Sequence, residues 1–288
     1  MRSAAFSAVF FLTSGAYVSS AQAAEPTAFA QLASKAAALG IKAGSLSSFS
    51  IPSIPRASGK DHKAVAHIEL AGAYSHAAPG QFGAVVGLVM AFPGGKAGLC
   101  SGTLISPSVI LTAAHCLEGV RDPSSILVFT GDIARENLAT RAVAAVQHPG
   151  YVPSQHVQTN LVDLGVVAVR PGSIKARPYS VSKAAPSRGD SVTLVGYGIT
   201  PGGNRAIMGN EKNYGSSTVA GLYNSKYLVV DGQTGACEGD SGSPALVGNQ
   251  VVGVVSGGPQ CAPNVPDLYN RVDASYDWIQ SMVLKYSN

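Results

Sequence analysis

Cys237-Glu238-Gly239-Asp240-Ser241-Gly242-Ser243-Pro244 is the stretch on which the reading of this chain turns. A serine set between glycines sits in a tight backbone turn with its hydroxyl exposed. The glycines also let backbone N–H groups approach a reacting oxygen closely. Alone, the string could be a hairpin turn. Two upstream stretches change its meaning. Leu111-Thr112-Ala113-Ala114-His115-Cys116 puts a histidine at the end of an apolar strand, where it is a base if the fold brings it to the serine. Asn160-Leu161-Val162-Asp163-Leu164-Gly165-Val166 opens an apolar strand with an aspartate. A carboxylate at the head of a buried run needs a partner, and an imidazole N–H would serve.

The surrounding texture is that of a β protein. Short apolar, β-branched runs recur between Gly, Pro, Asn and Ser: Phe82–Met90, Val109–Ala113, Ile126–Phe129, Val143–Gln147, Leu164–Val169, Ser191–Gly196, Tyr227–Val230, Gln250–Val255 and Leu268–Val272. This spacing predicts an all-β sandwich or barrel. Asp273 to Tyr286 differs, with Trp278, Ile279, Met282 and Val283 on one helical stripe, and predicts a terminal helix. The 288 residues suffice for a real core. Charged residues are only 12% and apolar ones 46%, which excludes a disordered, highly charged chain. The net charge of +4 comes without a Lys/Arg block, so we expect no nucleic-acid partner.

The amino terminus reads as an export signal. Met1-Arg2-Ser3 is a basic start, Ala4 to Leu12 an apolar run, and Ala21-Gln22-Ala23 a small-x-small cleavage site. The run is too short to span a bilayer, and no later run is long and free of punctuation, so we expect no membrane partner. Export makes the protein extracellular, or periplasmic in a Gram-negative cell. It also puts Cys100, Cys116, Cys237 and Cys261 in an oxidising compartment, where four cysteines allow three pairings of two disulfides. Residues 24–67 contain an Ala-rich stretch and then a Ser/Pro/Gly-rich one, Ala43 to Asp61. They read as a propeptide or a flexible tail, and composition does not separate the two. The expected division is therefore 1–23 signal, 24–67 propeptide or linker, and 68–288 the main domain.

Together these motifs resemble the chymotrypsin/trypsin-like serine peptidases over about residues 68–288. Thr112 to Cys116 matches the histidine box and Cys237 to Pro244 the serine box. Leu99 to Ile105, His148-Pro149-Gly150-Tyr151, Gly196-Tyr197-Gly198, Val255-Ser256-Gly257-Gly258, Pro266-Asp267-Leu268-Tyr269 and Trp278-Ile279 resemble further segments of the family. The resemblance implies two six-stranded antiparallel β-barrels with a C-terminal α-helix and the site in the cleft between them. It implies a catalytic triad of His115, Asp163 and Ser241, with backbone N–H groups of Gly239 and Ser241 forming the oxyanion hole. It implies a substrate pocket at Gly235, Ser256, Gly258 and Asp267, and the pairings Cys100–Cys116 and Cys237–Cys261. Asp240 is the expected partner of an α-amino group freed when a zymogen is cut. Protein or peptide substrates, a monomeric state, no cofactor and no metal complete the expectation.

The chain also departs from the family. The usual Ile-Val-Gly-Gly start has only a weak counterpart at Ile68-Glu69-Leu70-Ala71-Gly72, and Arg56, Lys60 and Lys63 are the nearest basic cutting sites. Gly257 replaces an aromatic residue, which weakens the hold on substrate upstream of the scissile bond. Ser243 stands where a glycine is usual. The pocket floor at Gly235 carries no acid, while Asp267 offers one from the side wall. That arrangement predicts a broad preference with Arg and Lys admitted before the cleaved bond. An esterase with a G-x-S-x-G elbow fits poorly, because Ser243 stands where that motif needs glycine and the chain order is wrong.

Overall fold

The computed structural model describes residues 74–92, 96–132, 139–153, 162–199, 211–223, 225–231, 234–258 and 265–287. The expected signal, propeptide and cutting sites lie outside the described residues, as does Cys261.

Two closed, six-stranded antiparallel barrels make up the molecule. The first contains β2 (Val85–Phe92), β3 (Lys96–Leu104), β4 (Val109–Thr112), β5 (Ile126–Phe129), β6 (Ala139–Gln147) and β7 (Gly165–Val169), in the order β2-β3-β4-β7-β6-β5. The second contains β9 (Ser191–Gly196), β10 (Asn213–Tyr223), β11 (Tyr227–Val230), β12 (Pro244–Val247), β13 (Gln250–Gly257) and β14 (Asp267–Arg271). Its path runs β10-β11-β14-β13-β12-β9 and closes where β9 pairs with β10. Two short strands add to it: β1 (Ser75–His76) pairs with the start of β10, and β8 (Ser180–Val181) runs parallel to the start of β13. Helix α1 (Tyr276–Tyr286) ends the described chain.

The runs that were plainest in sequence are the most enclosed. β4, β5 and β7 are buried at every residue, so they read as unbroken apolar stretches rather than alternating ones. Among the barrel strands, β3, β10 and β12 are absent from the apolar runs, as are the two-residue β1 and β8 outside the barrels. β10 is half-exposed and rich in Gly, Ser and Thr, and it is held by ladders to β9 on one side and β11 on the other. Long-range pairing, not local composition, makes it a strand. The terminal helix begins at Tyr276, because Asp273–Ser275 winds as a 3-10 turn.

Helix α1 follows the second barrel but packs on the first. Ile279 is fully buried in the main core, and Trp278, Met282, Val283 and Tyr286 pack against it. Ser108, in the turn before β4, donates to the Tyr286 carbonyl at 2.7 Å. The helix therefore ties the barrels together. The amino-terminal approach is pinned as well. Lys212 is buried, donates to the Phe82 carbonyl at 2.8 Å and lies 5.4 Å from the centre of the Tyr197 ring. Desolvation lowers its pKa to about 8. Among the described residues no helix is long and apolar enough to cross a membrane.

Candidate active site

Strand β4 delivers the histidine. Past Thr112 the chain runs through buried Ala113 and Ala114 into a 3-10 turn, His115–Leu117. Cys116 in this turn is bonded to Cys100 on β3, which fixes the loop to its own barrel. Cys237 is also disulfide-bonded. Cys100, His115 and Cys116 lie close enough together to suggest a metal site. The two sulfurs are bonded to each other, however, so neither is a thiolate ligand.

Asp163 stands just before β7 and is completely buried. Its Oδ1 accepts the His115 backbone N–H at 2.8 Å, and its Oδ2 lies 2.7 Å from His115 Nδ1. Ser256 on β13 donates its hydroxyl to the same Oδ2 at 2.7 Å. Asp163 in turn donates its own N–H to Asn270 Oδ1 on β14 at 3.1 Å. One barrel thus contributes the His–Asp pair, and the other barrel holds the acid in place. Burial alone would lower the pKa of His115, but the Asp163 charge and hydrogen bond, with the Glu118 charge, outweigh it and hold it above 6.5. Burial alone would raise Asp163, but His115 and the donated hydrogen bonds keep it below its usual range. An ionised Asp163 accepts only, so the neutral imidazole keeps its proton on Nδ1 and presents Nε2 as an acceptor.

The serine loop packs against that histidine strand. Gly239 and Gly242 have positive φ, +94° and +82°. A Cβ on Gly242 would fall 2.2 Å from Thr112 Oγ1 and 2.4 Å from the Ser101 carbonyl, so only glycine fits. The Ser101 N–H donates to the Ser241 carbonyl at 2.8 Å, and that carbonyl lies 3.7 Å from Cys116 Sγ. The main chain of Ser241 is thereby set against Cys116, the residue that follows His115. Two anchored carbonyls then aim the loop's donors. Glu238 O accepts from Ile199 N at 3.0 Å, and Asp240 O accepts from Ser243 N at 2.8 Å. In a planar trans peptide the following N–H points the opposite way. The Gly239 and Ser241 N–H groups are so turned, and neither has an acceptor among the described residues.

The Asp240 side chain lines a cleft shared with Tyr74 and Asn213. Its two oxygens accept N–H donors from Gly198 at 2.9 Å and Cys237 at 3.0 Å. A Cβ on Gly196 or Gly198 would strike this carboxylate at 2.1 or 2.4 Å, which explains the Gly196-Tyr197-Gly198 turn. Desolvation pushes Asp240 up to about 6, against those two donors. Tyr74 donates its hydroxyl to the Gly235 carbonyl.

Asp267 is only 2% exposed. Its Oδ2 accepts the Ala236 N–H at 2.6 Å, and its Oδ1 lies 1.8 Å from where a Gly258 Cβ would stand. The carboxylate therefore reaches from the Ala236 wall to the Gly258 wall. Gly235, beside it, is buried and side-chain-free. Desolvation pushes Asp267 up to about 7; the Ala236 donor opposes this and the Asp240 charge adds to it. Ser256 spends its hydroxyl on Asp163. Sequence reasoning did not single out Asn270, Ser101, Tyr74 or Lys212. No local signal marks Asn270 or Ser101, because each stands in a strand that carries other polar residues.

The Trypsin family model matches residues 74–279. The chain is 31% identical to "Serine protease SP24D" of Anopheles gambiae over 74% of this chain and 80% of that protein. It is 30% identical to "Trypsin" of Saccharopolyspora erythraea over 64% and 86%. Among solved structures, HL collagenase superposes with a TM-score of 0.58 at 22% identity, covering 71% of this chain and 94% of that one. An inactivated protease paralogue of the scabies mite superposes with a TM-score of 0.59 at 20% identity, covering 72% and 96%. The barrels thus persist in a protein described as inactivated, so the fold alone does not carry the activity. With the family match spanning most of the chain, and with two closed barrels flanking a histidine, an aspartate and a glycine-framed serine, this protein belongs to the trypsin family of serine peptidases.

Proposed function

We propose that this protein is an exported serine endopeptidase, made as a precursor, that cleaves proteins or peptides through Ser241, His115 and Asp163. The observation that carries the reading is the buried Asp163 carboxylate gripping His115 at both its backbone N–H and Nδ1. Ser241 Oγ attacks the scissile carbonyl while His115 Nε2 takes its proton. An acyl-enzyme forms as His115 passes that proton to the departing amine, and water then releases the acyl group by the same route. Asp163 keeps the productive tautomer and stabilises the imidazolium. The outward-turned N–H groups of Gly239 and Ser241 stabilise the oxyanion. A fluorophosphonate label should attach to Ser241 and be located there by mass spectrometry. No label on folded wild-type protein would mean that this chain is an inactive member of its family.

Export rests on the leader, and activation on Asp240. An α-amino group freed near Ile68 inserts beside Asp240 and holds the oxyanion loop as a salt bridge. Tyr74 already stands in that cleft, so a chain start a few residues upstream is within reach of the carboxylate. Active material should begin well downstream of Ala24 by amino-terminal sequencing, and Asp240→Asn should lose most of its activity. Full activity in protein starting at Ala24, together with a harmless Asp240→Asn, would exclude the mechanism.

In the pocket we read a shallow slot with its acid on the side wall. Arg and Lys are admitted, alongside neutral Leu, Met and Phe. The enzyme acts as a monomer and uses no cofactor.

A further inference from the structure

We propose that Ser101 is a positioning residue for the oxyanion loop, acting through a buried hydroxyl that ties the Gly239 carbonyl to the Tyr197 amide. The inference rests on the serine-peptidase reading above. Ser101 lies on β3, in the first barrel, and is completely buried. Its hydroxyl donates to Gly239 O at 2.9 Å and accepts from Tyr197 N at 3.0 Å, and both partners belong to the second barrel. Its main chain is committed as well, with its N–H on Ser241 O at 2.8 Å and its carbonyl receiving Thr112 Oγ1 at 2.8 Å. One residue therefore joins the histidine strand, the serine loop and the Gly196-Tyr197-Gly198 turn.

The geometry gives this hydroxyl a specific task. Gly239 is the residue whose N–H should meet the oxyanion, and at φ +94° it has no side chain to brace it. Its orientation is fixed only by what holds the peptides on either side. On one side Ile199 holds the Glu238 carbonyl. On the other side the Gly239 carbonyl is held by Ser101 Oγ. A methyl group at 101 leaves that carbonyl and the Tyr197 N–H buried without a partner, and each can recover one only by a local peptide shift. A shift of the 239–240 peptide turns the Gly239 Cα and, through it, the adjoining 238–239 peptide, whose N–H must be in place when negative charge develops. Removing an oxyanion donor outright costs about 10²–10³ in kcat. Loosening one should cost less, and should spare binding of the ground-state substrate.

The test compares wild type with S101A, S101C and, as a control for general destabilisation, V128A, a core truncation in the same barrel. The readouts are kcat and KM on a peptide amide, and the inhibition constant of a peptide boronic acid, which forms a tetrahedral anion on Ser241. S101A should lower kcat by about 10- to 100-fold with KM changed less than threefold, and weaken the boronate by the same factor. S101C, a weak donor and acceptor, should fall between S101A and wild type. V128A should melt earlier yet keep wild-type kcat and boronate affinity. Wild-type kcat and boronate affinity in folded S101A would overturn the assignment, as would losses no greater than those of V128A. If S101A does not fold, an S101C indistinguishable from wild type in both readouts would overturn it equally. A wild type inert to fluorophosphonate would remove the parent reading and this one with it, whereas an active wild type with an unaffected S101A removes this one alone.

Discussion

Ser241→Ala should lower kcat by on the order of 10⁴ or more, as should His115→Ala and Asp163→Asn, and the combined variants should lose little beyond the worst single one. That magnitude belongs to the family's Ser-His-Asp template and is not one derived from this chain. The structure supplies the reason for expecting a unit. Both oxygens of Asp163 are engaged, Oδ1 by the His115 N–H and Oδ2 by His115 Nδ1 and the Ser256 hydroxyl. An amide in its place must turn an NH2 toward one of these donors. Turned toward Nδ1, it selects the tautomer with the proton on Nε2, which cannot take the serine proton. The pH profile should follow the same pair. Protonated His115 is inactive, so activity falls as pH drops through the His115 pKa, and the Asp163 charge puts that limb above 6.5. In Asp163→Asn the residual activity should have its acid limb moved to lower pH. Peptidase activity surviving in purified Ser241→Ala would remove Ser241 as nucleophile.

The preference for Arg over Leu before the scissile bond, measured as a ratio of kcat/KM, should rise about tenfold between pH 6 and pH 8. Asp267 is the cause. Desolvation between its two walls raises its pKa to about 7, so it is mostly neutral at pH 6 and mostly ionised at pH 8. An arginine side chain stays charged throughout and gains an ion-pair partner only in the upper range. Loss of His115 activity at low pH is common to both substrates and cancels in the ratio. Asp267→Ala should leave a ratio that is low and flat with pH. A wild-type ratio independent of pH, or one unmoved by Asp267→Ala, would show that Asp267 does not set specificity. Asp240, at about 6, is the neighbouring acid, and Asp240→Asn should shift the midpoint of the ratio slightly downward by removing a like charge.

Much of this molecule was legible as a string. Ser191–Gly196 and Tyr227–Val230 agree with the observed strands residue for residue, and Ile126–Phe129 does too. Ile126–Phe129 and Tyr227–Val230 are short apolar runs whose burial is almost complete, and Ser191–Gly196 alternates polar and buried apolar residues before its buried end. β10 was illegible because small polar residues pair in it with two neighbours far away in sequence. Likewise the start of α1 was misplaced because Asp273–Ser275 winds as a separate 3-10 turn ahead of the helix. At the site, His115, Asp163 and Ser241 could be named from three local motifs.

The local motifs also required the glycines. Gly239 and Gly242 have to be glycine because their φ values and close contacts exclude a side chain, and a Gly-x-Ser-Gly string is how that constraint looks in one dimension. The supports of the site lay beyond such reading. Asn270 holds Asp163 across 107 residues of chain, and Ser101 holds Gly239 across 138. Neither residue type is distinctive in its own strand, and each acquires its partner only when two closed barrels press their faces together. The place of Asp267 was decided the same way. Its position in the sequence offered an acid to the pocket, but only the packing of β13 on β14 set that carboxylate against Gly258 and Ala236, where desolvation brings its ionisation to neutral pH. Residue chemistry is local and can be read along the chain, whereas burial and partnership are properties of surfaces that meet only after folding.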